Sequence, residues 1–174
     1  MTWPAPKRLH WLLLISALAL IADRLTKFWV AHHIGFGEHI PIIPHVLSLS
    51  HWTNDGAAFS MFADSASPHR VRMGLIAFTC VAALIVLAVL IRLGSRITLT
   101  TVALALILGG AVGNLHDRIA YGSVVDFIAV LIYHYHWPDF NIADSCIVVG
   151  AGLLFVDSLR PHKKPPSDQS PARS

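Results

Sequence analysis

Four stretches of this chain are too apolar and too long to be ordinary surface helices of a protein dissolved in water. A helix that crosses a membrane needs about 20 mostly apolar residues. Residues 73–91 and 97–115 carry no charge at all, although Thr98, Thr100 and Thr101 soften the start of the second run. Residues 11–31 are apolar as far as Ala22 and then meet Asp23, Arg24 and Lys27. Residues 140–159 contain Asp144 and Asp157, and their uncharged part, 145–156, is too short to span alone. A full fourth span therefore carries Asp144 into the membrane or its interface. Composition agrees: 13% of residues are charged and 55% hydrophobic, where soluble domains carry about 25% charged residues.

Four spans put both ends of the chain on one side. Lys7, Arg8, Arg92, Arg96, Arg160, Lys163, Lys164 and Arg173 fall outside the spans on that side. The opposite loops hold Arg70, Arg72 and Arg118. The excess of basic residues places both termini in the cytoplasm, and Asp126 and Asp144 then lie toward the outer, periplasmic face. A competing reading makes the first run a cleaved signal peptide, with Lys7 and Arg8 before it and Ala17-Leu18-Ala19 as the cleavage site. Against it, Asp23 and Lys27 stand four residues apart in the order that stabilises a continuing helix.

The expected organisation is one four-helix transmembrane domain over 1–160 and a disordered cytoplasmic tail over 161–174, rich in Pro, Ser and Lys. The outer loop over about 32–72 carries strand signals. Leu47-Ser48-Leu49-Ser50 alternates apolar and polar residues, Asn54-Asp55-Gly56 reads as a turn, and 57–62 reads as a returning strand. The expectation is a small sheet on the outer surface, anchored by Trp29, Phe36, Trp52, Phe59 and Phe62. Gly35, Gly37 and Gly56 supply hinges for closure of that loop. The apolar run 124–132 is too short to span and reads as a half-buried or re-entrant segment. Gly109 and Gly113 form a small face for close helix packing. The fold class is thus an all-α membrane protein with a small outer β-sheet.

Carboxylates in such a setting are costly and mark function. Asp126 lies within Val124-Val125-Asp126-Phe127-Ile128, and Asp144 near the start of the last span. Two carboxylates in a low-dielectric site share a proton, which is the arrangement that hydrolyses a peptide bond through an activated water. The structural alternative is that each caps a helix or pairs with a base. Asp117-Arg118 reads as an ion pair or loop clamp, as does Asp23 with Lys27. Asp139 and Asp157 read as interfacial or capping residues. Zinc-hydrolase and serine-hydrolase motifs are missing. Cys80 and Cys146 lie in apolar runs and form no disulfide framework or zinc spacing. His134-x-His136 and His32-His33 leave an outer metal site open, with loop histidines as the default reading.

At this point five blocks, in order, resemble the lipoprotein signal peptidase (signal peptidase II) family. Asp23-x-x-Thr26-Lys27 resembles its D-x-x-T-K element, and Asn54-Asp55-Gly56-Ala57-Ala58-Phe59-Ser60 its N-x-G-A-A-F-S. The run from Gly109 to Arg118 resembles G-G-A-x-G-N-L-x-D-R. Val124-Val125-Asp126-Phe127 resembles V-V-D-F, and Phe140-Asn141-Ile142-Ala143-Asp144-Ser145 resembles F-N-x-A-D-S. The resemblance implies an aspartyl endopeptidase with Asp126 and Asp144 catalytic. Asp23, Lys27, Asn54, Gly56, Asn114, Arg118 and Asn141 would bind or orient the substrate and the pair. It implies cleavage of bacterial prolipoproteins just before a diacylglyceryl-modified cysteine, in the inner membrane. Neither metal nor organic cofactor is implied, and the family's inhibitor globomycin is expected to bind. The expected partners are the diacylglyceryl-prolipoprotein and membrane lipid, with no nucleic acid, and the expected state is a monomer.

Two other functions compete on residues alone. In a small proton- or ion-coupled transporter, Asp23, Asp126 and Asp144 would form an ion path, but the acids cluster at one interface instead of spanning the depth. In a non-catalytic scaffold, both aspartates would be dispensable.

Overall fold

The computed structural model describes residues 7–56 and 68–160. Its elements are helix α1 (Leu9–His33), strands β1 (His39–Ile43) and β2 (Leu47–Asn54), helices α2 (Pro68–Leu93) and α3 (Leu99–Ala120), strands β3 (Val124–Ile132) and β4 (Tyr135–Phe140), and helix α4 (Ile142–Ser158).

Helix α3 packs against each of the other three helices. It opens with a reciprocal capping box, in which the Thr98 hydroxyl accepts from the Thr101 N–H and the Thr101 hydroxyl from the Thr98 N–H. These bonds satisfy donors that the first helical turn would leave orphaned. Its buried residues are mostly small: Ala103, Ala105, Gly109, Gly110, Ala111 and Gly113. Small side chains are what close approach requires in lipid, where packing rather than hydrophobic transfer holds helices together. A Cβ on Gly109 would sit 2.8 Å from the Ala19 Cβ of α1, and one on Gly110 would run into the Ala143 carbonyl of α4. Leu12, Leu90, Leu104 and Leu108 fill the other part of the bundle.

The outside of the bundle is apolar. Leu18, Leu25 and Phe28 on α1, Phe78, Leu84 and Ile85 on α2, and Val148 and Phe155 on α4 are all exposed. A continuous apolar exterior of this kind needs lipid or another apolar partner around it. Helices α1, α2 and α3 are long and apolar enough to cross a membrane. At about 1.5 Å per residue, even the shortest, α3, exceeds the ~30 Å hydrocarbon core. Helix α4 has 17 residues and is shorter than the 140–159 span expected from sequence. Phe140 ends strand β4, and the helix begins only at Ile142.

The strands form one antiparallel sheet in the order β1-β2-β3-β4. Here the sequence expectation needs correction. The run 124–132 is no re-entrant segment but strand β3 in the middle of the sheet. Strand β2 pairs with β1 on one side and β3 on the other, so both long loops contribute to one sheet. The run 57–62 lies outside the described residues. The apolar run without alternation that suggested membrane depth is equally the pattern of a strand covered on both faces. Phe127 of β3 packs on Val30 and Ile34 at the end of α1, which seats the sheet against the bundle. His45 (φ +61) and Tyr133 (φ +55) take left-handed backbone in the two hairpin turns.

Candidate active site

Asp126 and Asp144 reach one cavity from two different elements. Asp126 is carried by β3 and is 4% exposed, whereas Asp144 is half-buried in the first turn of α4. Both line a cavity of about 490 Å³, together with Asn54, Asn114, Arg118 and an apolar wall that includes Phe140, Ile147 and Val148.

The start of α4 spaces the pair. Asn141 is its N-cap: the side-chain oxygen accepts from the Asp144 N–H at 2.9 Å, and its backbone N–H donates to Asp144 Oδ2 at 3.3 Å. The same side chain donates from Nδ2 to Asp126 Oδ1 at 2.8 Å. One fully buried asparagine therefore touches both carboxylates. The helix capping box F-N-x-A-D-S is at once the local signal that starts α4 and the device that sets the distance between the acids.

Each aspartate has a second amide donor. Asn54 Nδ2 donates to Asp126 Oδ2 at 3.2 Å. The pairing of β2 with β3 sets Trp52 opposite Asp126 and Asn54 opposite Val124, so Asn54 lies diagonally across from the acid. The Asn54 oxygen accepts from the Gly56 N–H at 2.9 Å, closing the turn expected at 54–56. Asn114 Nδ2 donates to Asp144 Oδ1 at 2.7 Å. Burial first, and then the charge of Asp144, pushes the Asp126 carboxyl up to about 7, against the opposing pull of the Asn54 and Asn141 amides and of Lys27.

Behind Asn114 lies a buried group of charges. Lys27 Nζ is 2.8 Å from Asp23 Oδ2 and 2.7 Å from Asp117 Oδ2, and it donates to Asn114 Oδ1 at 3.1 Å. Asp23 also accepts from the Ala143 N–H of α4 at 3.0 Å, tying α1 to the helix that carries Asp144. The i,i+4 pair of Asp23 with Lys27 expected from sequence is present. Of the two readings of Asp117-Arg118, the ion pair between them is not, whereas the loop clamp is, through Arg118. Asp117 pairs with Arg24 and Lys27, while Arg118 points the other way and donates to the Gly56 carbonyl at 3.1 Å. Neighbours on a helix lie about 100° apart, so adjacent residues face different partners. Asp139 accepts from the Ser50 hydroxyl, and Asp157 from the Thr100 hydroxyl, each tying two elements together.

Of the sequence-nominated residues, Asn54, Asn114 and Arg118 line the cavity with the two acids. Asp23, Lys27 and Asn141 are buried behind it, and Gly56 is buried beside it. Among the described residues, no three His, Cys, Asp or Glu side chains converge as a metal set. His32 and His33 bond carbonyls one turn back on α1.

Fold and site together define a helical protein with a lipid-like exterior and a carboxylate pair in the seam between bundle and sheet. The family model described as Signal peptidase (SPase) II matches residues 15–160, and the chain belongs to that family. It is 45% identical over 162 residues to the lipoprotein signal peptidase of Pseudomonas fluorescens (strain Pf0-1), covering 90% of this chain and 91% of that one. It is 39% identical over 152 residues to that of Syntrophus aciditrophicus (strain SB), covering 87% and 94%. A solved bacterial membrane enzyme superposes with a TM-score of 0.69 at 30% identity, over 88% of this chain and 93% of that one. The transporter reading finds no support in these matches.

Proposed function

We propose that this protein is an aspartyl endopeptidase that removes the signal peptide from bacterial prolipoproteins, immediately before the diacylglyceryl-modified cysteine. The observation that carries the reading is that Asp126 and Asp144 line one cavity and are both bonded to Asn141. Asp144 acts as the ionised member. Amide and backbone N–H groups point at both of its oxygens, and the start of α4 favours negative charge there. Asp126 holds the shared proton, in keeping with its raised pKa. Asp144 takes a proton from the attacking water, and Asp126 hydrogen-bonds the carbonyl oxygen and later helps protonate the leaving amine.

The wall of Phe140, Ile147 and Val148 suits an acyl chain or the apolar end of a signal peptide. Arg118 and Asn54 offer donors for a substrate backbone at the same opening. In this reading residues 1–160 form one domain of four membrane-crossing helices in the bacterial inner membrane. Helix α4 completes its crossing with help from the residues that flank it. Both termini face the cytoplasm, 161–174 is a solvated tail, the site faces the periplasm, and the enzyme works as a monomer.

The test is a gel-shift cleavage assay on a diacylglyceryl-modified prolipoprotein with wild type, Asp126→Asn and Asp144→Asn. Wild type cuts, and both variants bind without cutting. A variant that cuts at the wild-type rate removes its aspartate from the mechanism.

A further inference from the structure

Lys27 never meets the cavity. It is 2% exposed, and its ammonium contacts Asp23 Oδ2, Asp117 Oδ2 and Asn114 Oδ1. An ammonium only donates hydrogen bonds. Asn114 must therefore turn its carbonyl oxygen toward Lys27, which leaves its NH2 for the opposite side. There it meets Asp144 Oδ1 at 2.7 Å. Flipping the amide would set N–H against N–H at Lys27 and oxygen against oxygen at Asp144. The Asn141 NH2, also within 3.3 Å of Asn114 Oδ1, favours the same orientation.

We propose that Lys27 is a positioning residue for the reaction: by fixing the orientation of the Asn114 amide it keeps Asp144 an acceptor and so directs the proton of the pair to Asp126. The inference rests on the carboxylate-pair reading above and deepens it. A simpler role competes, that of counterion to Asp23 and Asp117. The charged groups around this point are Asp23 and Arg24 on α1, Asp117 and Arg118 on α3, Asp144 on α4 and Asp126 on β3, with His116 Nδ1 3.6 Å from Asp117. Removing Lys27 alone leaves two buried carboxylates undercompensated, which endangers folding.

The informative variant is therefore Lys27→Met with Asp117→Asn. One cation and one anion leave together, so the net charge of the group is kept; Asp23 retains the Ala143 N–H, Arg24 retains the Tyr121 hydroxyl, and Asn114 Oδ1 loses the ammonium that fixes it. Cleavage of the diacylglyceryl-modified prolipoprotein is measured, with Asp144→Asn as control. The expected result is a KM close to wild type and a kcat about 100-fold lower, because the Asn114 amide is no longer held with its NH2 toward Asp144. A wild-type kcat makes Lys27 a counterion and overturns the proposal. If the double variant does not fold, Asn114→Asp decides. It keeps an oxygen for Lys27 and removes the N–H to Asp144, so the same loss of kcat at a KM close to wild type is expected, and a wild-type kcat overturns the proposal. An Asp144→Asn enzyme that cuts at the wild-type rate would instead overturn the carboxylate-pair reading itself.

Discussion

Asn141 Nδ2 donates to Asp126 Oδ1 at 2.8 Å, and because Asn141 is also the N-cap of α4, the start of that helix and the spacing of the two acids are one feature. A change at this position disturbs folding and chemistry by separable amounts.

Asn141→Ala should lose about 1 kcal/mol of cap energy and about 100-fold in kcat, since small misplacements of reacting groups are costly. Asn141→Ser keeps a capping hydroxyl but cannot reach Asp126. It should recover the stability and not the activity. Thermal unfolding in detergent, run beside the cleavage assay, separates the two effects.

Stability should depend on pH through Asp126. Its folded pKa of about 7 lies above the ordinary value of 3.8 for an aspartate in water. Between those values the native protein keeps a proton that the unfolded chain has released. The stabilisation is full below the unfolded pKa and is lost as pH rises through about 7. Asp126→Asn has no such loss. Its Tm should match wild type near the lower value and exceed it by several degrees above the upper one, for a difference of up to about 4 kcal/mol. A Tm difference that stays constant across that window would show that burial of the Asp126 charge is not what the fold resists.

The same group should shape the rate. With Asp126 as the protonated member, kcat/KM should fall as pH rises through about 7 in the free enzyme. Asn54 donates to Asp126 and favours its ionised form. Asn54→Ala should therefore move the alkaline limb upward while lowering the rate. A downward move of that limb would count against Asp126 as the proton carrier.

Two glycine substitutions should diverge. A Cβ on Gly110 meets the Ala143 carbonyl of α4, one residue from Asp144. Gly110→Ala should cost about 1–3 kcal/mol and reduce cleavage, because α4 must shift to make room. Gly152 has nothing within 4 Å of its Cβ position. Gly152→Ala should be neutral, or stabilising by about 0.5–1 kcal/mol. Unfolding temperatures and initial rates of the two variants check both.

The helices were legible because length and apolar content follow directly from the thickness and polarity of the solvent they cross. Asp126 and Asp144 stood out in the sequence because an ionisable residue in an apolar run must have a partner or a purpose. The re-entrant reading of 124–132 failed for a related reason. A run of continuous apolar residues reports burial on all sides, and it does not say whether lipid, helix or neighbouring strand does the covering. The pairing of β2 with β3 joins residues 70 to 83 apart along the chain, and no local pattern encodes that partner.

Asp117 makes the same point at the level of one side chain. Adjacency suggested Arg118, but helical geometry turns the two apart, and the partners come from α1, about 90 residues earlier. From the one-dimensional chain came the membrane setting, the apolar segments that form α1, α2 and α3, and the nomination of Asp126 and Asp144 as the pair to examine, all of which depend on composition, short-range spacing and motif. Folding in three dimensions added the middle strand that carries Asp126, the asparagine that touches both acids, and the buried lysine that orients Asn114. Each of these depends on which distant segments pack together, and that is settled by the close fit of small-residue faces and by the need to pair every buried polar group.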